Sequence, residues 1–393
     1  MKRKLSLFVL TISAYAANTD RGCGTVPGQA ATARLSHAQN MRLMNAQKGR
    51  SARNITPAKT VGNLIVMDAG GGVVSQRNPF NLDRQVVRFI PEANGGYRFV
   101  VEPGQVEDLT SQATVIAGLG DDDSREFPIP FPFPFQGQVR NRVFLNSDGN
   151  LTFNRPDATT SSRSLGRFTA GPPRIAGLFL DLDPSSSGQV SQFSNSDRMV
   201  FTWNRVPEYR SAGTGLPNTF QIRLHRDGRI ELAYGGINAL EGVVGLSRGD
   251  VTQPTEVVSF TGGSSRAFLG SVGELFTLGD DLDLVTLAQR LYAQYDDAYD
   301  YIAVYNTMGI SAGSGVVAYE ITLRNSRTGF GDLPVDTGTE FGSRQRLQAM
   351  LNLGPTSQYP IDPNGLVPSR GTAGDSPLSI IGHEAGHLFL AYA

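Results

Sequence analysis

The stretch Thr219-Phe-Gln-Ile-Arg-Leu-His-Arg-Asp-Gly-Arg-Ile-Glu-Leu-Ala-Tyr234 reads as two short strands around a tight turn. Thr219–Leu224 and Ile230–Tyr234 are rich in β-branched, aromatic and aliphatic residues. Between them, Asp227-Gly228 suits the positive φ that a hairpin turn demands. The same texture extends outward on both sides. Upstream candidates are Phe127–Phe135, Val143–Asn146, Leu151–Phe153, Ile175–Leu180 and Met199–Trp203, and Gly242–Leu246 lies downstream. Ser147-Asp148-Gly149-Asn150 is a second turn signal. Many short strands at this spacing predict an antiparallel β-sandwich over residues 113–265.

Composition agrees. The 393 residues include 45 Gly and 22 Pro, an excess expected of a loop-rich β protein. The net charge of −1 excludes a generally basic nucleic-acid binder. One cysteine excludes an intramolecular disulfide framework and any Cys-rich zinc module. The fold class expected is multidomain and mostly β.

The N-terminus carries a different signal. Met1-Lys-Arg-Lys4 precedes the apolar run from Leu5, and Ala14-Tyr15-Ala16 has the small-x-small cleavage pattern. Residues 1–16 are expected to be a signal peptide that makes the product secreted, in a bacterial setting. The run is too short for a transmembrane helix. Residues 17–60 read as a flexible leader or propeptide, and 61–112 as a small β-rich segment containing Asn63–Met67, Gln85–Ile90 and Tyr97–Glu102. Cys23 falls in the leader, where it is either incidental or a thiolate ligand that keeps a proenzyme latent.

Beyond residue 275 the period changes. Asp283 can cap a helix with apolar residues at Leu284, Leu287, Leu291, Tyr292 and Tyr295. Tyr301–Tyr305 and Val316–Leu323 read as strands, while Arg346–Leu353 is ambiguous. Asp375-Ser376-Pro377 then sets up a final helix with Pro at its first position. That helix contains His383-Glu384-Ala385-Gly386-His387, the pattern His-Glu-x-x-His. Positions i and i+4 share a helical face, so His383 and His387 can bind one Zn²⁺ while Glu384 serves as general base. The chain has only four histidines, and two fall in this pattern.

Two resemblances follow from these residues. Phe131-Pro-Phe-Pro-Phe135, Leu145–Phe153, Pro173–Pro184, Val200–Trp203 and Asn218–Ile230 together resemble a nidogen-type (NIDO) module. The resemblance implies an extracellular β domain for adhesion or display, with a protein or glycan ligand. Residues 275–393 resemble the N-terminal part of a zincin metallopeptidase domain, α+β and incomplete here. Leu390 and Ala393 stand where the metzincin pattern wants Gly and His, so the gluzincin-like version fits better. That version implies a third zinc ligand downstream of Ala393, a truncated catalytic domain, and a fragment inactive alone. The function expected of the full-length product is secreted zinc-dependent hydrolysis of protein or peptide substrates. The alternative is an extracellular adhesion protein whose His-Glu-x-x-His is inert. Asp121-Asp122-Asp123 and Asp181/Asp183 are candidate calcium ligands, although turn-capping is the reading that residue preference favours.

Overall fold

A computed structural model describes residues 64–70, 72–158, 163–210, 215–249, 255–313, 316–325, 335–370 and 374–389. The expected signal peptide, the leader and Cys23 lie outside the described residues. In chain order the first strands are β1 (Val74–Ser75), β2 (Gln85–Pro91), β3 (Tyr97–Pro103), β4 (Thr114–Val115), β5 (Ser124–Phe135), β6 (Gln138–Asn146) and β7 (Asn150–Thr152). They are followed by α1 (Leu165–Thr169), β8 (Arg174–Phe179), β9 (Gln189–Ser194), β10 (Arg198–Pro207), β11 (Pro217–His225), β12 (Ile230–Tyr234) and β13 (Gly242–Ser247). Next come β14 (Glu256–Val257), β15 (Val272–Phe276) and β16 (Asp281–Leu282).

Two seven-stranded sheets form the β module, in the orders β3-β2-β12-β11-β10-β9-β4 and β14-β15-β13-β8-β7-β6-β5. Their inner faces share one hydrophobic core, as in a β-sandwich. The β11–β12 hairpin has the register Phe220↔Tyr234 and Leu224↔Ile230. Its turn holds Gly228 at φ 88°, where a side chain would be strained. Trp203 is fully buried and stacks on Phe220 with ring centroids 4.9 Å apart. Its indole N–H donates to the Ser147 carbonyl across the core at 3.1 Å, so the one Trp spends its polar handle inside the fold.

β5 lies at a sheet edge. Ile129, Phe131, Phe133 and Phe135 point into the core, whereas Pro128, Pro130, Pro132 and Pro134 are exposed. Proline lacks a ladder donor, so an edge is where such a strand fits.

The segment 61–112 does not stand apart as expected. β2 pairs with β12 (Phe89↔Ile230) and with β3, which makes residues 85–103 part of the sandwich. The reason is packing, because Val87, Phe89 and Phe99 bury themselves in the shared core. The run at residues 64–67 forms no strand, and Leu64 and Val66 are exposed.

The remaining elements are α2 (Leu284–Tyr292), β17 (Tyr301–Asn306), β18 (Tyr319–Thr322), β19 (Arg324–Asn325), β20 (Val335–Asp336), β21 (Ala349–Pro355) and α3 (Pro377–His387). β17, β21 and β18 form a three-stranded sheet in that order; β21 runs parallel to β17 and antiparallel to β18. The ambiguous stretch at Arg346–Leu353 is thus mainly strand, and the expected strand at Val316–Leu323 shortens to four residues. α2 covers one face of this sheet, burying Leu284, Val285 and Ala288 against Met350 and Leu323. α3 covers the other, burying Ile380 against Leu351, Leu353 and Val317.

The two parts of the molecule meet where α1 crosses α2. Gly166 lies so close to Val285 that a Cβ on it would come within 2.4 Å of Val285 Cβ. The Asp283 carboxylate caps α2 at Thr286 N–H (2.9 Å) and also accepts the Gly166 N–H at 2.8 Å. Gln289 donates to the Gly166 carbonyl at 2.9 Å and to the Glu340 carbonyl at 2.8 Å.

Candidate active site

α3 starts as its sequence predicts. Ser376 is the N-cap and accepts from Ser379 N–H at 3.2 Å, while Ser379 Oγ accepts from Ser376 N–H at 2.9 Å. This reciprocal pair satisfies two donors at the helix start, and Pro377 occupies the first turn at no hydrogen-bonding cost. The helix carries His383, Glu384 and His387 in its second half.

The three side chains converge. One ligand atom from each lies within 4.8 Å of the others. The imidazole rings are 4.8 Å apart, nearly perpendicular, and His387 Nε2 is 3.8 Å from a Glu384 carboxylate oxygen. Glu384 is fully buried and the histidines half-buried. Burial holds the His387 imidazole below its usual pKa, with His383 adding to the effect and the Glu384 charge opposing it. A neutral imidazole is the form that can ligate a metal.

The sheet beneath fixes the helix. Tyr301 Oη donates to the Ala385 carbonyl at 3.0 Å, inside the motif itself. Asn325 Nδ2 donates to the Leu388 carbonyl at 3.3 Å just beyond it. Glu320 on β18 is buried and pairs in register with Leu351, which packs on the α3 side. Burial first, and the Glu384 charge second, push the Glu320 carboxyl up to about 7, against a hydrogen bond from Thr322. Glu320 carries no sequence signal, because only the β18–β21 register sets it under the helix.

A second group of acids gathers in the β module. Asp123 and Asp183 cap turns, accepting from Gly120 N–H at 2.9 Å and from Ser185 N–H at 2.9 Å. Asp121, Asp122 and Asp181 bring ligand atoms within 4.8 Å of one another. Arg163 sits among them, bonded to Asp122, to Asp148 at 2.7 Å and to Asp181 at 3.0 Å. A guanidinium therefore offsets part of the cluster's negative charge, while burial and the neighbouring carboxylates raise the Asp121 pKa to about 7 and the Asp122 pKa to about 8. The network continues through Arg167 and Arg174 to Asp157. Arg174 also lies over the Phe179 ring at 4.5 Å. Asn150, within the Asn150-Leu-Thr152 sequon, is fully buried and accepts from Arg174 at 2.8 Å. His225 is half-buried and lies 3.5 Å from the buried Glu231 carboxylate.

Among the described residues, no helix is long and apolar enough to cross a membrane. No curated protein and no solved structure matches the chain. One family model does match, described as NIDO related, and it spans residues 96–272. That segment runs from the residue before β3 to the first residue of β15, so the β-sandwich carries a NIDO-related domain.

Proposed function

We propose that the chain belongs to a secreted zinc-dependent endopeptidase, with the NIDO-related domain as its adhesion or targeting module. The observation that carries this reading is the convergence of His383, Glu384 and His387 on one capped helix beside a β-sheet. The donor set fits zinc: two imidazoles at i and i+4 with a carboxylate beside them. His383 and His387 would supply two of the three protein ligands a catalytic zinc takes. Zinc, when bound, acidifies a water and polarises a carbonyl. Glu384 would accept the proton of the attacking water and deliver it to the leaving amine. Its complete burial shields that proton transfer from bulk solvent. Among the described residues β18 is an edge of the three-stranded sheet, where an extended peptide could add by backbone pairing.

The test is zinc content and casein cleavage by the protein expressed from its gene. About one zinc per chain is expected, lost in a His383→Ala, His387→Ala double variant. Glu384→Gln should keep the metal and lose at least about a hundredfold in turnover, the scale of a general base. Full activity in Glu384→Gln would refute the base assignment. Absence of both zinc and cleavage would leave the second reading, an extracellular adhesion protein with an inert motif. That reading draws on the NIDO-related match alone.

A further inference from the structure

Arginines that are not exposed are, with one exception among the described residues, paired with a carboxylate. Arg88, Arg125, Arg163, Arg167, Arg174, Arg198, Arg223, Arg229, Arg290, Arg324 and Arg370 all have such partners within 4.0 Å. Arg140 on β6 is the exception. One of its terminal nitrogens donates to Asn154 Oδ1 at 2.6 Å, and the guanidinium lies 5.4 Å from the Phe153 ring centre. Its Nε is buried with no hydrogen-bond partner. A guanidinium cannot shed its charge at ordinary pH, and a half-buried one without a counter-charge is costly.

The surroundings form a shallow polar groove of about 190 Å³ on the outer side of β5–β7. Arg142 lies in the same groove but is already committed to Glu126 at 2.8 Å. The groove therefore keeps one positive charge uncompensated. Asn154 is held at φ 72°, a left-handed conformation that Asn tolerates best among residues with a side chain other than Asp, and its carbonyl oxygen orients Arg140. The groove also presents the Asn141 amide and the half-exposed Phe144 ring. Two amides can bond hydroxyls and a ring can cover a sugar's C–H face, while the Arg fork matches a planar carboxylate or a sulfate.

We propose that this groove binds an acidic polysaccharide, with Arg140 receiving its carboxylate or sulfate group. Burial lowers the Arg140 pKa from its ordinary value, as expected of a charge that lacks a counter-ion. The site is separate from α3 and does not depend on the peptidase reading.

The experiment uses the intact chain carrying Glu384→Gln, so that no proteolysis intrudes. Binding is measured to polygalacturonate, to a heparin-type sulfated polysaccharide, to neutral dextran and to polyglutamate. Binding to at least one acidic polysaccharide is expected, and the one preferred tells carboxylate from sulfate. Arg140→Gln should weaken it about tenfold with a thermal melt that is unchanged or raised. Arg140→Lys, which keeps charge and solubility but loses the fork, should weaken it by a smaller factor and serves if the Gln variant misfolds. Unchanged binding by both variants overturns the proposal. So does failure of the parent to bind either acidic polysaccharide, or equal binding of polyglutamate, which would mean an acidic-peptide surface.

Discussion

Tyr301 Oη donates to the carbonyl of Ala385 at 3.0 Å, tying the first strand of the three-stranded sheet to the middle of the His-Glu-x-x-His motif. The bond is made by a residue more than eighty positions upstream of the motif it steadies. Tyr301→Phe removes the donor and leaves a half-buried carbonyl short of one partner. A loss of about 1 kcal/mol of stability is expected in urea unfolding. Under the proposed peptidase reading, kcat should also fall severalfold while zinc content stays near wild type. Unchanged kcat would show that the helix holds its position without this bond.

Glu320 sets a pH dependence in the opposite sense from most carboxylates. Its folded pKa is about 7, above the ordinary value of 4.5. The folded state therefore binds the extra proton, and its stabilising effect is complete below about pH 4.5. That effect is lost as pH rises through about 7, a swing of the order of 3 kcal/mol. Glu320→Gln should flatten the stability profile between those limits. Unfolding followed from pH 4 to 8 checks it, and parallel profiles for both proteins would refute it.

Glu231 acts at the acid end. Burial alone would raise its pKa, but hydrogen bonds from His225 and Arg88 and the charge of Arg223 hold it well below the ordinary value. A depressed folded pKa contributes stability above about pH 4.5 that is lost as pH falls further. Glu231→Gln should be destabilised at pH 7 and should lose less than wild type between pH 5 and 3. Chemical denaturation at the two ends of that window decides it.

Arg163 is the central cation of the acid cluster. Arg163→Met would leave the fully buried Asp148 with only the more distant Arg167, 3.6 Å away. Breaking such a buried pair is expected to cost about 3–5 kcal/mol at pH 7. The deficit should shrink on acidification, because Asp148, Asp122 and Asp121 can then protonate. A deficit independent of pH would place the damage in lost packing instead.

The sequence foretold local structure better than long-range placement. Asp227-Gly228, the Asp283 cap and the Ser376-Pro377 start each act within a few residues, and each stands where its chemistry indicated. His383, Glu384 and His387 converge because a helix alone brings i and i+4 together. Residues 85–103 were harder to assign. Their alternation announces strands, but nothing local says which sheet receives them. Glu320 and Tyr301 were invisible for the same reason, since their position under α3 arises from sheet register. β9 and β15 carry weaker apolar runs and were not expected, and neither was the five-residue helix α1. Arg163 was hidden as well, since a single Arg in a Ser-rich stretch gains meaning only when four aspartates fold around it.

The contact of Gly166 with Val285 has a mechanical consequence. Gly166 belongs to the sandwich and Val285 to the first helix after it, so the joint clamps the point where the chain passes from one part to the other. α1 is seated on the Arg163–Asp148 and Arg167–Asp157 pairs, which are buried in the module. A pull on the β module would reach this joint as soon as the short connection from β15 to α2 tightens. The bond that the Gly166 N–H donates to Asp283 and the bond that Gln289 donates to the Gly166 carbonyl would then resist together. The β module and the sheet beneath α3 would thereby be coupled mechanically at their junction.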